Sequence, residues 1–221
     1  MTDFLNSIGI NSGMFTSAVI TIVLCVLSII AGRKMEMVPH GLQNVAEVSI
    51  EKLYGFFEGI MGPRLCKKYF PLVATFFIYI LFCNYSGLLP ASGHVPGLSA
   101  STATVNCTLA LAIITFIAVQ VIGVREHHGF SFYKHLIQPF AFLLPLMIVE
   151  DLVKPVSLTL RLYGNTYGDE TVVASIFNMI PIGVPVIMEF LSVLMCLVQA
   201  VVFSLLSAIY IAEAGEIEGE L

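Results

Sequence analysis

Leu152–Ile180 reads LVKPVSLTLRLYGNTYGDETVVASIFNMI, with Arg161 near its middle and Glu170 nine residues beyond. The stretch is too apolar for a water-soluble surface and too long for an upright membrane span. About 29 residues at ~1.5 Å each make a helix of about 40 Å, against a hydrocarbon core of ~30 Å. Such a helix tilts strongly or runs partly along the membrane. Val186–Ala212 is as long, and Pro181-Ile-Gly-Val-Pro185 supplies the turn between them.

The rest of the chain agrees with lipid as the bulk solvent. Of 221 residues, 57% are hydrophobic and 11% charged, where a soluble domain carries about 25% charged. Met14–Gly32, Phe70–Leu89 and Val105–Val124 each fit one crossing. Met14–Ala31 is long enough to span and follows no basic segment, so it does not read as a secretory signal. Ile137–Val149 is too short to cross and reads as a re-entrant piece. Met35–Gly62 interleaves Val45, Val48, Leu53, Phe56, Phe57 and Ile60 with Glu47, Glu51, Lys52 and Glu58, the spacing of an amphipathic helix at the inner surface. The expected fold is an all-α integral membrane protein. It has about five full crossings, that surface helix and the short re-entrant segment. Residues 1–221 form one membrane domain: 1–69 the first span and surface helix, 70–135 a hairpin, 136–221 the tilted pair.

Arg33, Lys34, Lys52, Arg64, Lys67 and Lys68 lie between the first two spans, and Arg125 and Lys134 follow the third. The loops Pro90–Thr104 and Pro181–Pro185 carry no Lys or Arg. The positive-inside rule then places the amino terminus outside and the acidic tail (Glu213, Glu216, Glu218, Glu220) in the cytoplasm. No long basic run points to nucleic acid. The five cysteines are scattered, with no Cys-x-x-Cys pair, and read as small buried hydrophobes. His127, His128 and His135 read as a solvated inner loop rather than a metal site. No metal or cofactor is expected.

Lys154 and Arg161 are the two cations outside that inner-loop pattern. Arginine at mid-bilayer costs at least ~2.5 kcal/mol and cannot escape by giving up its proton. One explanation is packing against a carboxylate of its own chain; another is an ion path or a counter-ion for a mobile acid. Glu170 lies about 13 Å along the helix from Arg161 and half a turn around it, and Glu150 and Asp151 up to ~16 Å the other way. None of these acids pairs with it within one helix. Acids at both ends and a fixed cation between them suit two offset half-channels. An ion enters past Glu170, neutralises a carboxylate on another protein at mid-membrane, and leaves past Glu150 and Asp151. Asn165 shares the Arg161 face. In the last helix Gln199 falls near the depth of Arg161, in reach of a hydrogen bond to it, and Glu189 falls near Glu170 or at the outer surface.

Ser157-Leu-Thr-Leu-Arg161-Leu-Tyr-Gly-Asn165-Thr resembles the signature of the a subunit of F-type ATP synthases (ATPase subunit 6 in mitochondria). Asn84-Tyr-Ser-Gly-Leu-Leu-Pro90 and Thr102-Ala-Thr-Val-Asn-Cys-Thr-Leu109 resemble two further family motifs. The resemblance runs from Phe70 onward. It implies a stator channel subunit with no catalytic site of its own, in a bacterial plasma membrane. Its partners are a rotating c-subunit ring, whose carboxylates pass Arg161, and a b-subunit peripheral stalk. It carries H⁺ or Na⁺, with Glu170 and Gln199 at family positions. The chain departs from the family at Thr104 (often Asp), Met147 (often a carboxylate) and Ser192 (often His or Glu). The competing reading is a secondary transporter whose arginine binds an anionic substrate. It predicts broken helices and an internal repeat, and no repeat is evident. An intramembrane enzyme lacks support: there is no His-Glu-x-x-His or Gly-x-Ser-x-Gly, and Gly168-Asp169 lacks the second glycine of an aspartyl protease motif.

Overall fold

The computed structural model describes residues 12–32, 42–88, 101–126, 144–179 and 183–215. Among these residues the chain is helical without strands: α1 (Ser12–Gly32), α2 (Leu42–Leu88), a 3₁₀ turn (Ser101–Ala103), α3 (Val105–Glu126), α4 (Leu144–Met179) and α5 (Val184–Gly215). By length and composition α1, α2, α3 and α5 are each able to cross a membrane. Helix α4 falls short on composition, because Glu150, Asp151, Lys154, Arg161, Asp169 and Glu170 interrupt its apolar residues.

Helix α2 breaks at Gly62, whose φ of 73° and ψ of 160° are non-helical. The next residue, Pro63, has no N–H to continue the ladder. The break separates limb 42–61, the described part of the expected amphipathic helix, from the spanning limb 63–88. The limbs fold onto each other at the bend. The rings of Tyr54 and Phe70 meet edge-on at 5.0 Å, and Phe57 and Met61 are buried while Val48 and Phe56 stay exposed.

Helix α5 packs chiefly along α2, and α4 lies against both α3 and α5. Two apolar clusters bind the bundle. One joins Phe57, Met61, Leu65, Val73, Ile122, Ala208 and Ile211. The other joins Phe76, Ile80, Leu111, Leu158, Leu162, Ala200 and Phe203, and it seats α4 through Leu158 and Leu162. Hydroxyls inside the bundle bond back to their own helix: Thr115 to Leu111 O at 2.9 Å, Ser204 to Ala200 O at 2.9 Å, Ser207 to Phe203 O at 2.9 Å. This is how polar side chains are satisfied where water is absent.

At the basic end of the bundle Glu126 closes α3. Its side chain is only 7% exposed. It accepts from Arg64 Nη2 at 3.0 Å, from Tyr69 Oη at 2.7 Å and from Lys68 Nζ. Two positive charges at the start of the spanning limb therefore also fasten α2 to α3.

The expected re-entrant piece Ile137–Val149 is different in the structure. Residues 137–143 lie outside the described residues, and 144–149 are the first turns of α4, which runs on unbroken through Pro155. At 36 and 32 residues, α4 and α5 are about 54 and 48 Å long. Arg33, Lys34, Lys134, the three loop histidines, Pro181, Ile182 and the tail after Gly215 also lie outside the described residues.

A Cβ at Gly62 meets nothing within 4 Å, so only its positive φ opposes a side chain. Gly62→Ala is expected to cost about 1–3 kcal/mol. Gly59→Ala, in open space on a regular helix, should be neutral or slightly stabilising. Thermal unfolding of the two variants in detergent checks the difference, and equal midpoints would contradict the bend.

Candidate functional site

Two side-chain contacts mark the antiparallel register of α4 and α5. At one end Lys154 Nζ reaches Glu213 Oε2 at 3.2 Å. In the middle Asn165 Nδ2 donates to Gln199 Oε1 at 2.8 Å. The apolar faces of both helices set this pairing, and the polar groups fall into line on it.

Arg161 is half-buried one turn beyond Leu158 and directly before Leu162, the two side chains that anchor α4 in the core. Among the described residues no ion pair or side-chain hydrogen bond holds its guanidinium. Ser157, Gly164 and Gly168 share its helix face, at spacings of four, three and seven residues. Neither glycine has an atom within 4 Å of where a Cβ would stand. Beside that face Val153, Val156, Leu160 and Tyr167 are exposed, as are Leu194, Leu197 and Val198 of α5. The cation thus stands in an open, apolar, small-residue strip.

The acids sort into two groups. On the Glu213 side, Lys154 Nζ binds Asp151 Oδ1 at 3.2 Å and approaches Glu150 at 3.8 Å. Gln120 Nε2 donates to Asp151 Oδ2 at 3.4 Å. Since α4 is continuous, Glu150 lies about 16 Å from Arg161, at the full separation expected for an unbroken helix. On the other side Glu170 is exposed, and so is Glu189 near the start of α5.

The expected bond from Gln199 to Arg161 is not formed. Gln199 sits opposite Asn165, one turn away, and accepts from it. Its own Nε2 is buried and, among the described residues, finds no acceptor. Asn165 accordingly serves Gln199 rather than the guanidinium.

Several participants were not singled out from sequence. Asn84 and Thr102 are almost wholly buried. Thr102 Oγ1 donates to Asn84 Oδ1 at 2.8 Å, and Asn84 Nδ2 donates to Cys196 O at 3.3 Å. The two motifs quoted for the resemblance therefore meet each other and α5. Thr104, where the family often has Asp, donates its hydroxyl to Ser101 O at 2.8 Å. It also packs so tightly on Gly13 that a Cβ there would come within 2.7 Å. Ser192 is buried. Lys154 with Glu150 and Asp151 had a legible signal, the i,i+4 and i,i+3 spacing of opposite charges.

These features define a class: a multi-span helical membrane protein with a permanent cation inside one helix and acids toward both ends of it. Residues 14–212 match the family model described as ATP synthase A chain. The ATP synthase subunit a of Moorella thermoacetica is 42% identical over 208 residues, 94% of this chain and 92% of that protein. That of Trichlorobacter lovleyi is 42% identical over 205 residues, 91% of this chain and 85% of its own. That of Geobacter sulfurreducens is 39% identical over 196 residues, covering 87% and 82%. The chain belongs to the ATP synthase A-chain family. It is accordingly a multi-pass, ion-translocating subunit of the synthase membrane sector.

Hydrogen bonds between membrane helices average ~0.6 kcal/mol and reach ~1.7. Asn165→Leu and Gln199→Leu should each destabilise, and the double variant should cost less than their sum by about that amount. Unfolding midpoints of the four proteins in one detergent test this. Strict additivity would mean the bond is absent in the membrane.

Proposed function

We propose that this chain is the stator channel of a rotary ATP synthase. It conducts H⁺ or Na⁺ through two offset half-channels to and from carboxylates on a c-subunit ring, and is held still by a b-subunit stalk. The observation that carries the reading is Arg161, half-buried in an open strip of small residues with no acid to neutralise it among the described residues. A charge so placed is expensive in hydrocarbon unless a partner supplies the counter-charge. The glycines beside it allow a second helix to approach closely.

In this reading the ring carboxylate arrives neutral and loses its ion beside Arg161, because the guanidinium favours the ionised form. Glu170 serves the outer half-channel, and Glu150 and Asp151 the inner one. The amino terminus is outside and the carboxyl terminus cytoplasmic, with five crossings. Helices α4 and α5 exceed the ~30 Å core, so they tilt to hide their apolar length. Asn165 and Gln199 hold α5 beside the arginine, and Glu189 stands at the outer surface. The driving force is ~2.3 kcal/mol per charge per 100 mV, so several ions cross for each ATP, and the stepwise ring does that counting.

Arg161→Ala should leave the complex assembled and abolish coupled ATP synthesis in energised vesicles. Normal synthesis by that variant removes the mechanism. Recovery of the chain from mild detergent alone, binding an anionic substrate, would favour a transporter.

A further inference from the structure

The spanning limb of α2 opens on three cations. Arg64, Lys67 and Lys68 stand at i, i+3 and i+4, on one helix face. The 20 residues after them, 69–88, carry no charge and are long enough to fill the ~30 Å hydrocarbon core. The cations therefore sit at the headgroup boundary. Arg125 stands at the same boundary of α3, past the uncharged run 105–124. Glu126 beside it bonds Arg64 and Lys68, so the two helix ends lie at one level. Among the described residues Glu126 is the only acid in ion-pair reach of any of the four cations. Four positive charges against one negative leave a positive surplus. All four cations are exposed. Arg64 and Lys68 keep 52% and 54% of their side chains accessible while bound to Glu126. The carboxylate draws those two heads together and leaves their outer sides free. Down the membrane the exposed face continues. Pro71, Thr75, Ile78 and Phe82, all exposed, follow Arg64 by seven, eleven, fourteen and eighteen residues and share its side of the helix. Thr75 spends its hydroxyl on Pro71 O at 2.7 Å, so the stripe offers little polarity.

We propose that this patch binds the phosphate of an anionic phospholipid, with the acyl chains lying along the exposed stripe of α2. A surplus of cations at the membrane boundary attracts anionic lipid. The charges and the stripe are stacked in the order of a headgroup and its chains. A soluble anion would answer the charge and leave Ile78 and Phe82 uncovered. So would an acidic peptide, such as Glu216, Glu218 and Glu220 in the segment after Gly215, which packs on Leu65. The site requires only that α2 and α3 cross the membrane, so it stands apart from the ion path proposed above.

The test reconstitutes the complete synthase in phosphatidylcholine vesicles. These hold a trace of phosphatidylglycerol or of phosphatidylcholine, each with the same photoreactive group on an acyl chain. After illumination, peptide-resolved mass spectrometry reads the labelling of residues 69–82. The anionic probe is expected to label that stretch well above the zwitterionic one. Lys67→Gln and Arg125→Gln leave the Glu126 contacts in place, and each should lower the preference by about fivefold, the worth of one surface cation. Lys52→Gln, on the surface limb, should leave it unchanged. If Arg125→Gln fails to assemble, Lys67→Gln and the two probes decide. Equal labelling by both probes would overturn the site. An equal fall in Lys52→Gln would reduce it to diffuse attraction and overturn it too. Loss of the preference on adding glycerol phosphate would assign the patch to a soluble anion instead. Carbodiimide coupling of Lys67 to a protein carboxyl, with both probes excluded, would assign it to an acidic peptide.

Discussion

A guanidinium cannot shed its proton, and hydrocarbon cannot solvate it; the placement of Arg161 is the constraint around which the charged part of this bundle is arranged. Two other buried or half-buried charges are answered inside the chain. Glu126 is met by Arg64, Lys68 and Tyr69, and Lys154 by Asp151, Glu150 and Glu213. Arg161 alone among these is left to an open strip. Truncating one member of a buried pair costs several kcal/mol because a charge is stranded. A chain that strands one by construction needs its counter-charge from elsewhere. The contrast between the satisfied cations at one end and the unsatisfied cation in the middle is what gives α4 a direction.

Most of the fold was legible because the period of a helix and the thickness of a bilayer are both known in advance. The runs Met14–Gly32, Phe70–Leu89 and Val105–Val124 each became a helix or the spanning limb of one, and Gly62-Pro63 marked the bend at the end of the surface helix. The short piece read at Ile137–Val149 is not confirmed: 137–143 lie outside the described residues, and 144–149 open α4. Hydropathy treats Glu150 and Asp151 as an interruption, so the apolar run before them looked like a separate short piece. The backbone does not read hydropathy. Lys154, three and four residues on, neutralises both acids along one face, and the helix runs through. A proline at position 155 did not end it either, since a helix held on both sides by neighbours tolerates one missing hydrogen bond.

The site was legible in its centre and less so in its supports. Arg161 stands out because no other arrangement of a membrane helix accommodates it cheaply. Gln199 was placed by counting residues along two antiparallel helices, a method whose error is about one turn. One turn is also the distance from Arg161 to Asn165, so counting could not choose between them. Asn84 and Thr102 carry no unusual charge. Only their mutual hydrogen bond and their bond to the α5 backbone reveal that two distant motifs form one joint.

The Asn165–Gln199 pairing has a consequence for the proposed mechanism. An amide bonded to Arg161 would occupy part of its planar fork and share its charge, weakening its hold on an incoming carboxylate. With Gln199 engaged by Asn165 instead, the five N–H donors of the guanidinium stay uncommitted by the polar groups of α5. The amide pair still locks α5 one turn away, so the cation keeps its position through apolar packing at Leu158 and Leu162 rather than through hydrogen bonds of its own. A group held in place by its neighbours, and not by its own polar contacts, stays free to bind a partner that moves.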